Sequence, residues 1–304
     1  MIKIQQEYDE TADKDRSVYK VDTVSNNTAI NNTAIINTAI APLRKDPDRR
    51  GELIDEDFYG GKVIILSEVR NGFSYIRTDY GYEGFTLNCN LIQDECKVRE
   101  WKDSYKMVVV NSFADIVAVP SVRGEILITL CRGALISVLG EADSQGYIQV
   151  RLVNGEIGYV KISLLGRYKV DYSLEMEDKL RYDIIQTALS YRGCQYRWGG
   201  KSPLGLDCSG LTFMAYQMNG ITIYRDASIK EGYPIKPIPQ DQKKPGDLLF
   251  FGGHVAMYLG EDRYIHSTAR KGSDGVVINS LNAEDPLYRE DLAMRLIEVG
   301  SLFK

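Results

Sequence analysis

The chain has 304 residues, 44% hydrophobic and 26% charged, with a formal net charge of −5. Apolar material on that scale excludes wholesale disorder and suffices for two or three packed domains, while the acidic balance argues against a polyanion-binding role such as nucleic-acid recognition. No run of 18 apolar residues occurs and the first ten residues hold no apolar stretch, so neither a membrane span nor a secretory leader is predicted.

The N-terminal segment, residues 1–37, carries a slipped repeat: Asn26-Asn27-Thr28-Ala29-Ile30, Asn31-Asn32-Thr33-Ala34-Ile35, then Ile36-Asn37-Thr38-Ala39-Ile40. It reads either as a linker or as a strand. Two copies look like insertions, with only the last, running into Ala41-Pro42-Leu43-Arg44, needed by the domain that follows. A longer repeat comes next. Gly61, Gly72 and Gly81 recur as Gly133, Gly146 and Gly155, offset by 72, 74 and 74 residues, with alternating apolar residues between them. Short strands separated by Gly/Asn turns predict two small β-barrels, each resembling a bacterial SH3 domain, at 38–98 and 106–166. Residues 167–179 read as a connector. Helical spacing through Leu180, Ile184, Ala188 and Leu189 predicts a helix over 176–192 that stops at Gly193 and opens a third, α+β domain at 180–304.

The five cysteines (Cys89, Cys96, Cys131, Cys194 and Cys208) are odd in number and form no CxxC, which points to reduced thiols. Cys208 opens an apolar helix that runs to Gly220, where the helix dipole is expected to lower its pKa from about 8.5 toward neutrality. The only two histidines, His254 and His266, lie twelve residues apart across a strand, a turn near Glu261 and a strand. In such a hairpin His266 faces Ala256, and the two rings share one face as diagonal neighbours roughly 7–8 Å apart at Cα. That spacing supports a Cys208–His254–His266 triad, with one imidazole as base and the second fixing its tautomer. A scattered Cys and two His with no local ligand cluster predict no metal and no cofactor.

Tyr196-Arg197-Trp198-Gly199-Gly200, Asp207-Cys208-Ser209-Gly210, Pro245-Gly246-Asp247-Leu248, Gly253-His254-Val255 and Ile265-His266-Ser267 together resemble the NlpC/P60 peptidases of bacterial cell-wall metabolism. The resemblance implies a papain-like, circularly permuted catalytic domain that cleaves peptidoglycan stem peptides beside a γ-linked D-glutamyl residue. It places the Tyr196 hydroxyl at the active site and Asp207 and Ser209 against the substrate, though Asp207 is equally suited to capping the helix. Trp198 reads as structural. Arg225-Asp226 matches an Arg-Asp that relatives follow with serine; here Ala227 intervenes before Ser228, which weakens that serine's expected role. Preceded by tandem SH3-like domains, the pattern is nearest the γ-D-glutamyl-L-diamino-acid endopeptidases. In these the first SH3-like domain closes the groove and receives the free amine of an N-terminal L-Ala, for which Glu52 and Tyr82 are the candidates. The expected substrate is therefore L-Ala-γ-D-Glu-diamino acid (diaminopimelate or Lys), bound by a monomer. With Met1 as native start the protein is expected in the cytoplasm; with a leader removed, outside the cell or on the wall. A non-catalytic wall-binding protein, a general wall endopeptidase or amidase, and an acyltransferase are the competing readings.

Overall fold

A computed structural model describes residues 32–303. The first copy of the slipped repeat lies outside the described residues. The second copy supplies Thr33, Ala34 and Ile35 of the first strand, β1 (Thr33–Ile36), and the adjoining Ile36 completes it, every residue being buried. This corrects the expectation that only the last copy is needed. Ile36, with no exposed surface, explains the choice: the other copies would put Asn31 or Ala41 at that core position.

Six more strands complete an antiparallel sheet: β2 (Ile40–Arg44), β3 (Leu53–Phe58), β4 (Lys62–Val69), β5 (Phe73–Thr78), β6 (Glu83–Leu87) and β7 (Leu91–Ile92), in the order β3-β2-β6-β5-β4-β1-β7. Helix α1 (Glu95–Asp103), N-capped by Asp94, leads into a second sheet. Its strands are β8 (Lys106–Val109), β9 (Phe113–Val117), β10 (Ile126–Cys131), β11 (Leu135–Leu139), β12 (Tyr147–Arg151), β13 (Ile157–Lys161) and β14 (Leu165–Arg167). Their order, β10-β9-β13-β12-β11-β8-β14, repeats the first permutation strand for strand. The registers repeat too. Leu43 faces Asp55 and Ile116 faces Ile128, and each pairing slips at the same place in β3 and β10. One glycine assignment changes. Gly60 N–H donates to Ile36 O as Gly133 N–H donates to Val109 O, and both take positive φ (79° and 93°), so Gly133 answers to Gly60 rather than Gly61. Among the described residues no pairing joins the outer strands β3 and β7, or β10 and β14, so by hydrogen bonding each sheet is open.

The remaining residues form an α+β layer of few helices. Helix α2 (Glu177–Leu189) ends a turn short of the predicted stop, and Gly193 reverses the chain at φ 87°. A short hairpin, β15 (Lys201–Ser202) and β16 (Gly205–Leu206), feeds helix α3 (Cys208–Gln217), buried from Cys208 to Tyr216. Six antiparallel strands follow: β17 (Lys236–Ile238), β18 (Leu248–Phe250), β19 (Val255–Gly260), β20 (Arg263–Thr268), β21 (Gly275–Ser280) and, after the short α4 (Glu290–Ala293), β22 (Glu298–Ser301). Their order is β17-β22-β18-β19-β20-β21, and α3 packs between this sheet and α2. Buried Arg181 of α2 ties the layers together through Asp247 (2.9 Å) and the Pro245 carbonyl (2.8 Å).

Candidate active site

Asp207 caps α3, its Oδ1 accepting from Gly210 N–H at 2.6 Å. Glycine is required at 210 because a Cβ there would collide with the Gly200 carbonyl. Cys208 thus sits on the first turn of α3, as the sequence predicts, but its acidity runs against expectation. Burial pushes the thiol up to about 11, the adjacent Asp207 charge adds to this, and the backbone N–H groups that lower it do not compensate.

β19 and β20 form the predicted hairpin. Met257 faces Ile265 and Tyr258 faces Tyr264, and the turn passes through Glu261 and Asp262, both at positive φ. His254 Nε2 lies 2.7 Å from His266 Nδ1. His266 Nε2 lies 2.9 Å from Asn279 Oδ1, and the Asn279 amide donates to Leu287 O at 3.0 Å. These contacts set every proton in the chain. The Asn279 oxygen can only accept, so His266 carries its proton on Nε2 and accepts on Nδ1. His254 must then donate from Nε2, which leaves its Nδ1 free as a base. Burial lowers His254 to about 4, with Arg289 and Arg295 contributing next, and lowers His266 to about 3. Asn279 was missed in the sequence. Its signal is a lone amide in the apolar run Val276-Val277-Ile278, on the strand beside His266.

A cleft of about 430 Å³ gathers the other candidates around Cys208 and His254. Tyr196 lines it, its hydroxyl pushed up to about 12 by burial and by the neighbouring Cys208 and Asp207. Asp226, Ala227 and Ser228 line it also, with Tyr82 donating to Asp226 Oδ1 at 3.2 Å. Glu52 accepts from the Trp198 indole at 2.9 Å and lies 3.7 Å from Lys45. Trp198, read as structural, is instead 61% exposed on the cleft wall.

Asp207 and Ser209 reach the cleft, but their side chains are already engaged. Arg225, 2% exposed, contacts Asp207 through Nη1 (3.1 Å) and Nη2 (3.3 Å) and Ser209 Oγ at 2.9 Å, while its Nε donates to Asp55 at 2.7 Å. The capping role of Asp207 therefore holds, and its carboxylate is balanced by Arg225 rather than free for a ligand. Beside this pair, fully buried Lys201 donates to the Tyr80 hydroxyl at 2.6 Å and lies 3.8 and 3.9 Å from Asp55 and Asp57. Burial pushes Asp57 up to about 6, against the pull of Lys201. Neither Asp55 nor Lys201 was evident in the sequence, where each reads as a surface charge, and Arg225 stood out there only as half of the Arg225-Asp226 match, not for these contacts. Among the described residues no group of three His, Cys, Asp or Glu side chains is placed to hold a metal ion.

A thiol at a helix start, sharing one cleft with an imidazole whose tautomer is set by a second, is the equipment of a cysteine hydrolase. The model of the NlpC/P60 family matches residues 193–291. Dipeptidyl-peptidase 6 of Lysinibacillus sphaericus is 43% identical over 268 residues, covering 86% of this chain and 97% of that one. A gamma-D-glutamyl-L-lysine dipeptidyl-peptidase of Bacillus subtilis (strain 168) is 35% identical over 156 residues, 46% of this chain and 50% of that one. The crystal structure of an NlpC/P60 family protein from Bacillus cereus ATCC 10987 superposes with a TM-score of 0.73 at 20% identity, covering 90% of this chain and 100% of that one. The chain belongs to the NlpC/P60 family of cysteine peptidases.

Proposed function

We propose that this enzyme hydrolyses the γ-D-Glu–L-diamino acid bond of peptidoglycan stem peptides that begin with a free L-Ala. The observation that carries the chemistry is the relay Asn279–His266–His254, which leaves one imidazole nitrogen free in the cleft that holds Cys208. With the thiol near 11 and the imidazole near 4, both are neutral at rest. His254 Nδ1 takes the thiol proton as sulfur attacks the carbonyl carbon. The Cys208 N–H and the Tyr196 hydroxyl receive the oxyanion. The imidazolium then protonates the leaving amine, and water, activated by the same imidazole, releases the acyl group.

Glu52, Tyr82 and Asp226 give one end of the cleft an acidic wall suited to an ammonium, which favours a free N-terminus over a continuing chain. The name of the Bacillus subtilis relative, a gamma-D-glutamyl-L-lysine dipeptidyl-peptidase, points to the same bond. We read the two seven-stranded sheets as SH3-like barrels and 180–304 as the catalytic domain, on the strength of the repeated strand order and bulge; the first barrel then begins with β1 at Thr33, ahead of the boundary expected at 38. The protein acts as a monomer in this reading, and Ala227 and Ser228 contact the substrate backbone.

Mass spectrometry of L-Ala-γ-D-Glu-diaminopimelate incubated with the enzyme tests the reaction. Release of the free diamino acid is expected, and transfer of the acyl group to an added amine in place of hydrolysis would identify an acyltransferase. Cys208→Ala should lower kcat by several powers of ten with the fold intact. Retention of a tenth of the activity would rule out the nucleophile.

A further inference from the structure

The leaving amine takes its proton from His254, so the leaving diamino acid must sit on the histidine side of the cleft. Three arginines and one aspartate lie behind that side, close enough to act on His254 or Tyr264 but outside the residues that line the cleft itself. Arg295 Nη2 donates to the Gly252 carbonyl at 3.2 Å, and the next two residues, Gly253 and His254, line the cleft. Arg289 holds Asp291 with two bonds of 2.7 Å, and Arg270 binds the same carboxylate. Asp291 therefore balances one charge of three. Arg289 is 8% exposed, yet its Nη1 is buried without a hydrogen-bond partner. The Tyr264 hydroxyl, on a ring 5.1 Å from that of His266, is also buried and unpartnered, and it feels the Arg289 charge. Buried donors left unpaired beside an active site, with surplus positive charge, suit an anion that arrives with the substrate.

Resting on the function proposed above, we infer that Arg295, backed by Arg289, is the subsite for the free α-carboxylate of the leaving diamino acid. That carboxylate is two bonds from the departing nitrogen, so it must lie beside His254 whenever the bond is cut. A stem peptide that ends at the diamino acid offers it; one that continues presents a neutral amide there. The enzyme thus measures its substrate from both ends, reading the ammonium of L-Ala and the carboxylate of the third residue, and selects tripeptides. Occupation has a second effect. Burial and, after it, Arg289 and Arg295 hold the His254 imidazole down, and a bound carboxylate offsets the arginines' charge, so the base strengthens when a substrate of the right length arrives.

The test compares L-Ala-γ-D-Glu-L-Lys as the free acid and as its C-terminal amide, with wild type, Arg295→Gln and Arg295→Lys. In wild type the amide should lose about ten- to hundredfold in kcat/KM, mostly through KM. Arg295→Gln should lose activity on the acid and so narrow the acid-to-amide ratio to within about threefold, and Arg295→Lys should restore part of it. Equal kcat/KM on acid and amide in wild type, or an unchanged ratio in Arg295→Gln, would overturn the subsite. Cleavage of neither peptide would instead count against the proposed function, which keeps the two failures apart.

Discussion

The two seven-stranded sheets share strand order, register slip and turn glycines, yet only the first takes part in the site. The difference is confined to a few side chains. Where β3 carries Asp55, Glu56 and Asp57, the equivalent positions of β10 are Ile128, Thr129 and Leu130. Where the turn after β5 places Tyr80 and Tyr82, the turn after β12 has Asn154 and Glu156. The first sheet therefore sends an acidic edge into the catalytic layer, against Lys201, Arg197 and Arg225. The second meets its neighbours with no acidic edge: Val153 N–H donates to the Tyr59 hydroxyl at 2.6 Å, and Arg132 stacks on Tyr191 and donates to Ser190 Oγ at 2.5 Å. One architecture serves as a working wall in one copy and as a strut in the other, because fold and site chemistry are specified by different residues.

Asp55→Asn should break this contrast most severely. Asp55 is fully buried between Arg225 and Lys201, and removing its charge leaves both cations short of a partner. A loss of about 3–5 kcal/mol is expected by urea denaturation. Because Arg225 also holds Asp207 and Ser209 at the start of α3, kcat should fall at least about tenfold in conditions where the variant is folded. Ile128→Val, at the matching place in the second sheet, should cost about 0.5–1.5 kcal/mol and leave kcat unchanged. Full kcat in folded Asp55→Asn would make the first sheet a strut as well.

Asp57 sharpens the contrast in the opposite sense, since this acid is a burden near neutrality. Its folded pKa of about 6 lies above the ordinary carboxyl value of 3.8. The folded state then binds more protons between those values, so the stability Asp57 contributes is complete below about pH 3.8 and lost as pH rises through 6. Asp57→Asn removes the titration. Relative to the variant, wild type should lose on the order of 2–3 kcal/mol between about pH 4 and about pH 7.5. Denaturation curves at the two pH values measure this, and parallel behaviour would mean that Lys201 fully compensates the charge. Leu130, its counterpart, has no proton to exchange.

Legibility followed the same division. Cys208, His254 and His266 could be read because histidine is rare here and the hairpin's period of two puts both rings on one face. The repeated glycines announced two like sheets. What stayed hidden was every polar residue whose meaning depends on burial. Asp55 and Lys201 look like ordinary surface charges, and Arg225 like half of an Arg-Asp motif, until packing brings these distant residues together. The thiol's acidity failed for the same reason: the helix dipole is visible in sequence, whereas burial and the carboxylate of Asp207, which outweigh it, are tertiary. The glycine offset slipped by one because Gly60 and Gly61 are adjacent and only the folded backbone, through the hydrogen bond to Ile36 and the positive φ of Gly60, distinguishes them.

Glu52→Gln tests the wall at the cleft mouth. If Glu52 receives the L-Ala ammonium, N-acetylation of the peptide should cost wild type about one to two powers of ten in kcat/KM. Glu52→Gln should weaken activity on the free amine and narrow that gap. Glu125→Gln, at the equivalent and exposed position of the second sheet, should change neither. Equal rates on free and acetylated peptides in wild type would leave an open groove and a general wall endopeptidase.

The smallest effect concerns how the first sheet chooses its own first strand. β1 is drawn from a repeat, whereas β8, after Trp101-Lys102-Asp103-Ser104-Tyr105, has no second copy to compete with it. In wild type a five-residue slip would bury Asn31 in place of Ile36, at a cost of roughly 3 kcal/mol or more from lost apolar burial and an unpaired amide. Asn31→Ile removes that penalty, because the four residues that begin at Thr28 would then have the same side chains, in the same order, as Thr33-Ala34-Ile35-Ile36. The slipped register would still lengthen the loop to β2 from three residues to eight. Loop closure alone then opposes it, by about 0.9 kcal/mol. About one molecule in five or six should adopt the second register, visible as doubled amide resonances for Val63 and Ile64, which face Ala34 and Thr33 across β4. Global stability should move by less than about 0.5 kcal/mol. A single set of resonances would mean that contacts beyond the strand's own side chains hold the register, and Ile36 would lose its place as the residue that selects the copy.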